Sequence, residues 1–150
     1  MNKFAFVVLA ALTIPAAGCA GNPLTGDWQV TITAGAGLTE TLTLHLGGDG
    51  AASYTQAGSG SCMGTVTNSG FTWTSTATTL TVSGTATCTG MVTCTVLGTD
   101  HTAADCSASS SSPSAGACTY ALSADNNTLT ISNCSNSMMT APQALTRVSH

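Results

Sequence analysis

Between Trp28 and Val148 the chain carries a succession of short segments patterned with a period of two. In Trp28-Gln29-Val30-Thr31-Ile32-Thr33 apolar and polar residues alternate, so Trp28, Val30 and Ile32 share one face of an extended strand. The turn Ala34-Gly35-Ala36-Gly37 leads into Leu38–Leu46, the cleanest alternation in the chain, with Leu42, Leu44 and Leu46 inward and Thr41, Thr43 and His45 outward. Gly47-Gly48-Asp49-Gly50 reads as a hairpin turn, because glycine supplies the positive φ such turns need. A third strand covers Ala51–Gln56. The Gly/Ser segment Ala57–Gly60 then leads to a weak strand near Cys62–Thr67, and Asn68-Ser69-Gly70 reads as a turn. Phe71–Ser75 and Leu80–Val82 are two further strands. Thr85–Val96 is either one long strand or a hairpin broken at Thr89-Gly90-Met91. Gly98–Gly116 has no periodicity and reads as a long loop. Beyond it come Thr119–Ser123, the turn Ala124-Asp125-Asn126-Asn127, the strand Thr128–Ser132 with Leu129 and Ile131 inward, an irregular stretch Asn133–Pro142, and a last strand Ala144–Val148. Eight to ten short strands with Gly-rich turns predict an antiparallel all-β domain, either an up-and-down β-barrel or a β-sandwich.

The N-terminus is different. Lys3 precedes an apolar run from Phe4 to Ile14, which closes on Ala16-Ala17-Gly18-Cys19. A cation, a short apolar middle and a small-residue exit are the layout of an export signal. The run is shorter than the ~20 residues of a permanent membrane helix. Its last four residues resemble the lipobox of bacterial lipoproteins. That resemblance implies cleavage before Cys19, lipidation of Cys19, and attachment to a membrane through acyl chains. The expected division is a signal peptide over 1–18, the lipidated Cys19 with a short tether over 19–24, and the β-domain over 25–150. Ala20 rather than Asp follows the cysteine. By the same resemblance this implies sorting to the outer membrane of the bacterial cell envelope.

Six cysteines follow Cys19: Cys62, Cys88, Cys94, Cys106, Cys118 and Cys134. An even number in an exported chain reads as three disulfides. No C-x-x-C occurs and no His stands at ligand spacing from a Cys pair, so no metal site is expected. On one straight strand Cys88 and Cys94 lie about 20 Å apart and cannot bond; a turn at Gly90 would let them. Cys106–Cys118 and Cys88–Cys94 are the expected local bridges, leaving Cys62–Cys134. Cys94–Cys118 is the rival pairing.

Composition narrows the function classes. Only 5% of the residues are charged, with two Lys+Arg against six Asp+Glu and a net charge of −4. One of the two cations, Lys3, lies in the signal, so the mature domain carries only Arg147. There is no basic patch for nucleic acid or for anionic lipid headgroups. The surface is kept in water by hydroxyls rather than by charge, and threonine, being β-branched, suits strands.

Gly26-Asp27-Trp28, at the head of the first strand, resembles the G-x-W signature of lipocalins. That resemblance implies an eight-stranded up-and-down barrel with Trp28 at its closed end and a basic residue of the last strand packed over it. Arg147 stands in that last strand. In a closed barrel the first and last strands are neighbours, so a cation–π contact between Arg147 and Trp28 is expected. The family's middle Thr-Asp-Tyr motif is not found, and no C-terminal helix is signalled.

Chemistry is sparse. Asp100-His101 and Asp105 in the long loop, beside many serines, are the raw material of a hydrolase. No G-x-S-x-G elbow presents a nucleophile, however, and a solvated loop is the simpler reading. Asp49 and Asp125 read as turn formers. No catalytic residue or cofactor is assigned. Two function classes stand: an envelope lipoprotein with a structural or interaction role, and a carrier of a small apolar ligand. Leu42, Leu44, Trp73 and Tyr120 are the candidate ligand contacts. A hollow interior with apolar walls favours the carrier, a packed one the structural role.

Overall fold

A computed structural model describes residues 21–34, 38–60, 62–85, 87–96, 99–106, 116–135 and 142–149. The expected export signal and Cys19 lie outside the described residues. Among the described residues are ten strands: β1 (Gly26–Ala34), β2 (Leu38–Leu46), β3 (Ala51–Gly60), β4 (Cys62–Ser75), β5 (Thr79–Ser83), β6 (Thr87–Val96), β7 (Thr99–Asp105), β8 (Gly116–Leu122), β9 (Thr128–Ser132) and β10 (Gln143–Ser149). No helix occurs among them.

Eight of these strands form a ring. β1 pairs with β2, β2 with β3, β3 with β4, β4 with β5, β5 with β8, β8 with β9, β9 with β10, and β10 returns to β1, every pairing antiparallel. The fold is a closed up-and-down barrel, not a sandwich. The remaining pair, β6 and β7, lies outside the ring, with β6 along the first half of β4 and β7 on β6.

The unexpected element is β4. Asn68-Ser69-Gly70 is not a turn but the middle of one 14-residue strand. Ala52 and Tyr54, two apart on β3, face Phe71 and Asn68, three apart on β4. The extra residue is a bulge, and Gly70 at φ 90° supplies its bend. At this corner β4 exchanges neighbours, pairing with β6 up to Ser69 and with β5 from Thr72. The composition that marks a turn here bends a strand instead. The same distinction applies to Ala57–Gly60, which continues β3, and to Thr89-Gly90-Met91, which runs straight through β6.

The expected 98–116 loop also begins as structure, because Thr99–Asp105 is strand β7. It is an edge strand, paired among the described residues with β6 alone, and its sequence carries no period-two signal. The expected local disulfides are not formed. Cys88 bonds Cys106, tying the head of β6 to the end of β7, and Cys118 bonds Cys134, tying β8 to the chain after β9. The Cys118–Cys134 bond excludes the expected Cys62–Cys134 pairing; Cys62 is itself disulfide-bonded, and the register sets Cys94 directly opposite it. The rival Cys94–Cys118 is excluded by the Cys118–Cys134 bond. Sheet neighbours, not sequence neighbours, determined the pairing.

The core fills one end of the barrel. Leu24, Trp28, Leu46, Trp73, Leu129 and Leu145 are buried there. Full burial stabilises each such side chain by about 1.5–3 kcal/mol. Trp28 Nε1 donates to the Leu24 carbonyl at 2.7 Å, and Trp73 Nε1 donates to that of Gly47 at 2.9 Å, so neither indole is left unsatisfied. Arg147 lies over the Trp28 ring, 4.1 Å from its centroid, as the sequence leads one to expect. Its guanidinium also donates to the carbonyls of Pro23, of Thr25 at 2.6 Å and of Asn126 at 2.8 Å. Residues 22–24 are therefore not a loose tether. Asn22 donates to Ser75 Oγ, and Leu24 plugs the base. A second, smaller core of Cys62, Val66 and Val92 joins β4 to β6 near the other end.

Candidate binding cavity

Above the packed base the barrel is hollow. A cavity of about 350 Å3 extends from Ala52, Phe71 and Leu145 beside the base to Glu40, Gln56 and Gly116. Its size falls within the roughly 300–1,000 Å3 of small-molecule sites. The alternation of each strand builds it. On β2, Glu40, Leu42 and Leu44 face inward above the buried Leu46; on β3, Ala52, Tyr54 and Gln56 do so. Phe71, Leu80, Val82, Ile131 and Leu145 supply the remaining apolar wall, with Gly116 and the Cys118–Cys134 bridge beside them.

The hollow follows from side-chain volume. The two tryptophans stand at the base, where Leu24 also enters. Among the wall residues, Ala52 and Gly116 bring little or no side chain to the interior. Gly58, at the same parity on β3, is glycine for a different reason. A Cβ there would lie 2.7 Å from Cys62 Cβ and 2.9 Å from Val92 Cγ1.

Of the four sequence-derived ligand contacts, Leu42 and Leu44 line the cavity and Trp73 and Tyr120 do not. Trp73 belongs to the base, and the Tyr120 hydroxyl donates to the Thr76 carbonyl at 2.8 Å, which holds the ring at the same end. Both residues have the expected inward parity, but depth along the barrel separates them from the cavity. Alternation reports which face a residue occupies and says nothing of height.

Three polar side chains that the strand pattern alone does not single out belong to this region. Glu40 accepts a hydrogen bond from Gln56 Nε2 at 2.8 Å, across β2 and β3. Tyr54 is half-buried, and burial pushes its phenol above the ordinary value, partly opposed by a hydrogen bond with Asn68. Asn68 is itself only 3% exposed, at the β4 corner. The sequence does carry a signal for Glu40, which shares parity with Leu42 and Leu44 on the cleanest strand.

Other candidate chemistry lies elsewhere. His45 Nδ1 donates to Asp27 Oδ1 at 2.5 Å on the outer wall, directly across the β1–β2 pair and away from the cavity. Asp49 accepts from the Ala51 amide, and Asp125 from the Ser123 hydroxyl and Asn127, so both are turn formers. Those hydrogen bonds hold the Asp125 carboxyl below its ordinary value. Asp100, His101 and Asp105 fall on β7, and the serines of 107–115 lie outside the described residues. Among the described residues no cluster of three or more His, Cys, Asp or Glu side chains could hold a metal ion. No helix among them is long and apolar enough to cross a membrane.

Comparison with protein-family models, with curated proteins and with solved structures finds no match to this chain. The class that fold and cavity define is a disulfide-stapled, closed eight-stranded β-barrel with a packed base and a hollow, open-ended interior.

Proposed function

We propose that this protein is a lipid-anchored, lipocalin-like barrel of the bacterial cell envelope that holds a small, mostly apolar molecule in its interior. The observation that carries this reading is the cavity itself, about 350 Å3 of space walled mainly by aliphatic and aromatic side chains. Burial of apolar ligand surface supplies affinity at roughly 25 cal/mol per Å2 before association costs. The lipobox-like Ala16-Ala17-Gly18-Cys19 supports the anchor and the envelope location. The Arg147–Trp28 contact at the closed end supports the likeness to lipocalins. A hollow barrel favours the carrier over a purely structural envelope role, for which a filled interior would be the better design.

The test is a titration of the purified domain with N-phenylnaphthylamine, a neutral dye that brightens in apolar surroundings. Saturable binding is expected, and Leu44→Trp, which puts an indole into the cavity, should reduce it at least tenfold. A folded wild-type domain that binds neither this dye nor other small apolar probes would overturn the carrier reading and leave the structural one.

A further inference from the structure

The cavity wall is mainly apolar; its polar members are Thr43, Ser53, Tyr54, Gln56 and Glu40, and of these Glu40 alone is a carboxylate. Glu40 is the chain's only glutamate and faces the interior on the same side of β2 as Leu42 and Leu44. One of its carboxylate oxygens accepts from Gln56, which fixes the group against the wall. Among the described residues no Lys, Arg or His lines the cavity. The one Lys or Arg of the β-domain, Arg147, is committed to the opposite end of the barrel, over Trp28. Gln56 is a neutral donor and brings no positive charge to the carboxylate. A carboxylate beside low-dielectric walls interacts more strongly with an opposite charge than it would in water.

We propose that Glu40 selects the ligand, favouring molecules with an apolar body and one basic amine over neutral or acidic molecules of the same size. The inference rests on the carrier reading and adds the chemical class of what is carried. An ammonium at Glu40 would form a charge-assisted hydrogen bond, while its apolar body lies along Leu42, Leu44 and Leu80. A carboxylate in the same position meets like charge, and an alcohol gains only a neutral hydrogen bond. The selecting group lies on the wall of the cavity rather than on the outer surface, so its preference is exerted on a ligand already partly removed from water.

The experiment is displacement of N-phenylnaphthylamine from the wild-type domain by n-octylamine, n-octanol and n-octanoate at neutral pH and low salt. The amine should displace the dye at a concentration about tenfold lower than the alcohol, and the acid should be weakest. In Glu40→Gln, which preserves shape and a partner for Gln56, the ratio of amine to alcohol should fall to near one. Glu40→Asp should keep a preference for the amine. Equal displacement by all three compounds in the wild type, or an unchanged ratio in Glu40→Gln, would overturn the role of Glu40. Because the wild-type ranking needs no variant, the idea stays testable even where a substitution fails to fold. Dye binding without amine preference refutes this inference alone, whereas a folded domain that binds neither the dye nor other small apolar probes refutes the carrier reading beneath it.

Discussion

At the scale of single residues, Arg147 ties the base together. It covers Trp28 and satisfies carbonyls from two separate segments, Pro23 and Thr25 before β1 and Asn126 between β8 and β9. A planar guanidinium serves several acceptors at once and stacks on an indole, whereas an ammonium is a single point charge. Arg147→Ala should lower stability by about 2–4 kcal/mol, from lost charge-assisted hydrogen bonds and the cation–π contact together. Arg147→Lys should recover less than half of that, as read from urea midpoints. A midpoint for Arg147→Ala within error of the wild type would show that the cap is decorative. The arrangement is legible in the sequence because two signals converge: a Trp opening the first strand and a lone cation in the last, which closure of a barrel makes neighbours. Glu40 is equally legible by parity, yet nothing in the letters marks it as functional, because one carboxylate without a catalytic partner suggests no reaction.

At the scale of elements, the decisive feature is how closely β6 approaches β4. Gly64 and Gly90 have φ of 103° and 93°, and a Cβ at either would come within 2.1 Å of the Met91 carbonyl oxygen or 2.0 Å of that of Thr65. Neither oxygen can withdraw, since both belong to the paired backbone. Gly64→Ala and Gly90→Ala should each destabilise by more than about 2 kcal/mol, combining the unfavourable φ with the forced separation of the strands. Gly48→Ala is the control. Its nearest neighbour, Thr25 Cγ2, would be at 3.7 Å, ordinary contact, and the change should stay within about 0.5 kcal/mol. Thermal unfolding of the three variants tests this, and equal effects at all three positions would contradict it. In the sequence, Gly70 reads as punctuation and Gly90 is undecided between strand and turn. In the fold both lie inside strands, one at a bulge and one at a close crossing. Composition alone cannot separate these uses, because each calls for the same freedom at φ.

At the scale of the whole molecule, the ends of the barrel are unlike. The chain enters at the packed base, where Asn22 and Leu24 are docked, and the cavity extends from there toward the other end, to Glu40 and Gln56. On the proposed anchor, only Ala20 and Gly21 separate Cys19 from the docked Asn22. The base would then face the lipid and the mouth would face away, so that ligand is exchanged with the aqueous side rather than drawn from the anchoring bilayer. Both tryptophans of the chain, Trp28 and Trp73, sit in the base core. In vesicles carrying the lipidated protein, a quencher on the lipid headgroup should dim their fluorescence, and Cys19→Ser should leave the protein in the soluble fraction with unquenched tryptophans. Membrane retention of Cys19→Ser would rule out the anchor, and unquenched tryptophans in the bound wild type would reverse the orientation.

The letters alone determined most of the strand material of this protein and the inward faces of its alternating strands, though not β7 or the middle of β4, since a period of two is a local property that survives without tertiary context. They also marked the two ends of the ring through Trp28 and Arg147. Three things were decided only in three dimensions: which cysteines meet, where the bulge in β4 hands the strand from one neighbour to another, and how high each inward residue sits. Each depends on register between strands far apart in the chain. Register sets whether an inward aromatic fills the base, as Trp73 does, or an inward carboxylate is left beside open space, as Glu40 is.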